Sequence, residues 1–193
     1  DDYPSYFKKI DLDVELKIQV VIIHLALSIT DDGVFDKNLI LIDFIQDLID
    51  NRSTSYSRPI VMALTYCEAW VQEIVVERMI KSKDTFTISA GLEVVANASL
   101  SKFENHCHSI LHSLSSTKDS DGKYSNKFKS LLSVLLNAIL SIRATACILA
   151  LENLLDNAVL QKDIITWQSI LFALVELDSG IGWNRYKAAC QAS

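Results

Sequence analysis

Apolar residues in this chain come in blocks of helical period, separated by short polar breaks. From Asp11 to Thr30 the apolar positions Leu16, Ile18, Val20, Val21, Ile23, Leu25, Leu27 and Ile29 surround a helix rather than stripe it. Alternation at 18 and 20 has some strand character, but the length of the run and the acidic residues Asp13 and Glu15 at its start favour a helix buried on all sides. Residues 36–50 place Leu39, Ile42, Ile45, Leu48 and Ile49 on one face, opposite Asp36, Asp43, Gln46 and Asp47. A third helix is predicted from Pro59, whose missing N–H is spare in a first turn, to Lys81. A fourth runs over 88–115 with a kink near Asn97, and a long buried helix over 125–155. Residues 162–177 follow, closed at Asp178-Ser179-Gly180 by a glycine cap, and a short helix covers 183–191.

The breaks share an outline. Asp32-Gly33-Val34-Phe35-Asp36, Asp84-Thr85-Phe86-Thr87, Asp121-Gly122-Lys123-Tyr124 and Asn157-Ala158-Val159-Leu160 each read as a turn followed by a bulky apolar anchor and a polar helix start. At an offset of 125, residues 31–49 match 156–174 at Asp31, Val34, Lys37, Ile40 and Ile45. The irregular helix lengths do not fit a regular solenoid.

The expected fold is therefore all-α: a bundle of six or seven helices in one domain over 1–193, with a subdivision at the Ser115–Lys123 loop into 1–117 and 124–193. Five Gly and two Pro among 193 residues leave little room for linkers or a turn-rich β fold. A net charge of -6 argues against nucleic-acid binding, which needs a basic stripe. The most apolar segment, Leu131–Leu155, is interrupted by Ser133, Asn137, Ser141 and Arg143, so it reads as a central helix and not a membrane span.

Four cysteines (Cys67, Cys107, Cys147, Cys190) allow two disulfides in three pairings, and sequons place candidate glycosylation at Asn51 and Asn97. The start at Asp1-Asp2-Tyr3-Pro4 fits either a mature secreted protein or a fragment, and with the cysteines and sequons the expectation is a secreted protein.

The sharpest candidate for chemistry is Glu104, His108 and His112, spaced i, i+4 and i+8 along one helix edge as a zinc or copper grip would be. The competing reading is the polar edge of an amphipathic helix whose Phe103, Ile110 and Leu111 turn inward. Cys107 beside His106 and His108 is a poor nucleophile–base pair, because adjacent helical residues point apart. His24 reads as a core histidine. No phosphate loop, dinucleotide fingerprint, HExxH or nucleophile elbow occurs, so neither enzyme chemistry nor a cofactor is expected.

The order of helices and breaks, with Gly33-Val34-Phe35, Val61-Met62-Ala63-Leu64-Thr65-Tyr66-Cys67-Glu68-Ala69 and Thr87-Ile88-Ser89-Ala90-Gly91, resembles the five-helix terminal domains of spider silk proteins over residues 3–140. The resemblance implies a secreted, self-associating structural domain. The abundance of apolar helix surface without convergent polar chemistry leads to the same expectation: a homo-oligomer or a protein partner. The rivals are a helical carrier with a small apolar ligand between its helices, and a secreted effector that binds a host protein.

Overall fold

The computed structural model describes residues 69–115, 126–156 and 163–192, preceded by positions 61, 64, 65 and 67. The expected helices over 11–30 and 36–50, His24, Asn51, three of the four breaks and the first copy of the offset repeat lie outside the described residues. Within them the chain is all-α, in helices α1 (Ala69–Ile80), α2 (Thr85–Ala98), α3 (Glu104–Ser115), α4 (Asn126–Ser141), α5 (Ile148–Leu155), α6 (Ile164–Leu177) and α7 (Ser179–Ala192). No strand occurs among the described residues, and no helix there is long and apolar enough to cross a membrane.

Two compact units, Asp1–Val94 and Val95–Ser193, divide the chain. Their boundary falls inside α2, whereas the sequence pointed to the 115–123 loop. In the first unit, α1 buries Val71, Val75, Val76, Met79 and Ile80, the stripe that helical spacing requires. The helix expected to run unbroken from Pro59 bends at Cys67. Gln72, itself buried, reaches back so that Nε2 donates to the carbonyls of Leu64 (2.9 Å) and Thr65 (3.2 Å). The Leu64 carbonyl also accepts from the Cys67 N–H at 3.1 Å, so Gln72 ties an already closed turn to α1.

Asp84 starts α2: its carboxylate accepts from the Thr87 N–H at 2.9 Å and from the Thr87 hydroxyl at 2.8 Å. Phe86, expected to anchor this break in the core, is instead 61% exposed. The first turn of α2 faces it outward, and Thr87 and Ala90 are the buried residues there. Gly91 lets α2 approach α1, since a Cβ there would lie 3.0 Å from that of Met79.

The helix expected over 88–115 is two helices, α2 and α3. The one expected over 125–155 is also two, α4 and α5. Both interruptions have the same construction. After α2, Ser99 takes a left-handed backbone (φ 52°), its N–H donates to Ala96 O, and the Leu100 N–H donates to Val95 O. After α4, Arg143 takes the same conformation (φ 52°), its N–H donates to Leu140 O, and the Ala144 N–H donates to Ile139 O. Each is a Schellman closure, with its apolar residue (Leu100, Ala144) buried. A single 3-10 turn follows, Ser101–Phe103 or Thr145–Cys147, and its last residue points inward: Phe103 and Cys147 are both buried.

The second unit packs around α4. Phe128, Leu131, Leu132, Leu135, Leu136, Ala138 and Ile139 are buried, while Lys129, Ser130, Ser133, Asn137 and Ser141 face out. Helices α3 and α6 pack against α4, α5 packs against α3 and α6, and α7 lies on α6. Asp178 is extended and ends α6, and its carboxylate accepts from the Ile181 N–H at 3.0 Å. The expected glycine cap is therefore an aspartate cap for α7, and Gly180 lies within that helix.

Candidate functional site

Two places in the second unit gather side chains beyond the needs of the core. One is the outer face between α4 and α6. Ser133, Leu136, Asn137 and Leu140 from α4 and Gln168, Ser169 and Phe172 from α6 line an open groove of about 390 Å³. The face continues along α6, where Ile165 is 77% and Phe172 60% exposed. They sit two helical turns apart, with Gln168 and Ser169 between them on the same side. None of the groove residues is ionisable. Below the groove, Lys129 of α4 pairs with Asp163, which also caps α6 by accepting from the Thr166 N–H at 3.3 Å. The Lys129 ammonium holds the Asp163 carboxyl below its usual range.

The other place is where α3 meets the 3-10 turn before α5. Glu104 Oε1 accepts from the Ala146 N–H at 2.9 Å. One turn along α3 from Glu104 stands Cys107, and next to Ala146 stands Cys147; both thiols are free and 0% exposed. Burial pushes each up to about 12, with the charge of Glu104 adding to both and that of Cys147 adding to Cys107.

Glu104, His108 and His112, the candidate metal ligands, do not converge on one point. Glu104 is committed to the Ala146 N–H, His108 is half-buried and His112 exposed. No group of three or more metal-ligating side chains gathers in a metal-holding geometry among the described residues. His106 packs its ring 5.3 Å from that of Phe103.

Among the cysteines, no disulfide is closed among the described residues. Cys107 on α3 and Cys147 in the 3-10 turn packed against α3 lie on neighbouring elements. Cys67 is half-buried in the first unit, its thiol pushed up to about 11 by burial. Cys190 is exposed on α7, hydrogen-bonded to Tyr186, whose phenol is shifted upward by that bond. Tyr186 also meets Trp183 edge-on, ring centroids 5.6 Å apart, and both rings lie at the surface. The Asn97 sequon lies at the end of α2 with its side chain exposed. The groove itself had one legible signal, the departure of Ile165 and Phe172 from the inward stripe of α6.

No protein-family model, curated protein or solved structure matches the chain.

Proposed function

We propose that this chain is a non-enzymatic, secreted helical module that works by association with a second copy of itself through the α4–α6 face. The observation that carries the reading is the exposure of Ile165 and Phe172 beside an uncharged groove. Covering each of these side chains is worth about 1.5–3 kcal/mol relative to leaving it in water. The neutral face permits a second copy. The chain carries a net -6, so two copies repel wherever their carboxylates meet, and a neutral face is where they can approach. The carrier reading is less well supported, because the groove is open along its length and cannot enclose most of a ligand's surface.

Light scattering over a concentration series at neutral pH tests the proposal. The expected result is a dimer that dissociates on dilution, with Phe172→Ser and Ile165→Ser each weakening association by roughly tenfold or more while leaving helicity unchanged. A strict monomer at the highest attainable concentration overturns it. Native mass spectrometry separates the rival, since an apolar small molecule retained by the monomer and lost in Phe172→Ser would mark a carrier.

A further inference from the structure

We propose that Cys107 and Cys147 are a disulfide-forming pair, closed as the chain folds in the presence of a disulfide oxidant and sealed from solvent once folding is complete. Two segments far apart in the chain are pinned together here. Glu104 and Cys107 lie three residues apart on α3 and so share a face. The Glu104 carboxylate holds the N–H of Ala146 at 2.9 Å, and Cys147 is the next residue. The 3-10 turn that carries Cys147 packs directly on α3. Both side chains point into the same interior, at 0% exposure.

The two helix interruptions add an independent observation. In the first, the inward position that ends the 3-10 turn holds Phe103; in the second, the same position holds Cys147. An aromatic ring fills that position by bulk. A thiol fills less of it, and both thiols lie near enough to Glu104 to feel its charge, with Cys107 also feeling that of Cys147.

The chemistry balances with a small disulfide such as oxidised glutathione as oxidant. One cysteine thiolate attacks a glutathione sulfur, the glutathione S–S bond breaks, and a glutathione thiolate leaves behind a mixed disulfide. The second cysteine thiolate attacks the protein sulfur of that mixed disulfide and expels the second glutathione. Two protein S–H bonds are replaced by one S–S bond, and the oxidant is reduced by two electrons to two thiols. Full burial bars the oxidant from the folded chain, so closure belongs to the folding reaction, when the α3 contact forms but packing is incomplete.

The experiment uses the full chain carrying Cys67→Ser and Cys190→Ser, refolded from denaturant in mixed reduced and oxidised glutathione. The expected product lacks two hydrogens by intact mass, gives one peptide pair joined through 107 and 147, and unfolds at a higher urea concentration than the same variant refolded with excess reduced thiol. The product overturns the proposal if both cysteines alkylate after unfolding, if glutathione stays attached without closure, or if the bridge lowers the urea midpoint. Disulfide mapping of the refolded wild-type chain covers the case in which the double variant does not fold. A dominant 107–147 pairing there supports the proposal, and any other partner for Cys107 or Cys147 overturns it.

Discussion

Ser99 and Arg143 hold the same left-handed backbone, φ 52° at both, at the same step of two helix closures. An L-residue loses roughly 1–2 kcal/mol there relative to right-handed backbone, and glycine escapes that cost. Neither side chain is buried. Ser99→Gly and Arg143→Gly are each expected to raise stability by about 1 kcal/mol in urea unfolding, and a lower midpoint in either would show that the side chain contributes more than its backbone costs.

Gly182 is the opposite case. A Cβ there would stand 2.6 Å from both the backbone nitrogen and the Cα of Val175, and backbone cannot swing aside. Gly182→Ala should push α7 off α6 and cost about 1–3 kcal/mol. The loss should show in Trp183 emission as well as in the global unfolding midpoint; an unshifted midpoint would mean the two helices tolerate wider spacing.

Arg185 joins α7 to α5 by donating from Nε to Glu152 (2.9 Å) and from Nη1 to Asp156 (2.8 Å). All three groups are partly exposed, so water and salt screen the pairs, and Arg185→Met should cost only about 0.5–1 kcal/mol. That cost should shrink as salt is added. A penalty independent of ionic strength would assign the effect to the packing of the Arg185 stem.

Asp163 gives the fold an acid limb. Its carboxyl is held below the unfolded value of about 3.9, so its contribution is complete above that pH and disappears as pH falls through the lower, folded value. Asp163→Asn keeps a capping oxygen but removes the attraction to Lys129. The variant should lose this part of the acid dependence, read as a flatter stability curve below about pH 4. An unchanged acid limb would move its origin to other carboxylates.

The buried thiols give an alkaline limb of the other sign. Unfolded cysteine ionises near about 8.5, whereas Cys107 and Cys147 are pushed up to about 12 by burial. In the reduced protein, stability from this pair is complete below about pH 8.5 and declines as pH rises toward the folded value. Reduced Cys107→Ala should show a shallower decline between those limits. Iodoacetamide should label Cys107 and Cys147 only after unfolding; rapid labelling of either in the folded chain would contradict their burial.

Several elements were legible because local chemistry writes them. The stripe from Phe128 to Ile139 has helical spacing, and Asp84 and Asp163 are capping residues directly before apolar runs. The breaks at Ser99 and Arg143 were read as a kink and as unbroken helix, because neither carries Gly or Pro and the left-handed turn is held by tertiary burial of Leu100 and Ala144. Phe86 was misplaced because bulk alone does not say which side of a first turn meets the core. For the site residues, i, i+4 spacing put Glu104, His108 and His112 on one edge. It could not tell that the Glu104 carboxylate is engaged by an N–H 42 residues away.

By itself, the sequence determined the all-α class and most helix positions in the described chain, since hydrophobic period and capping residues act over one or two turns. Only the tertiary structure decided which long helices break, which apolar residues stay outside, and which N–H the Glu104 carboxylate engages. Those outcomes depend on contacts between residues far apart in the chain, whose burial outweighs local preference.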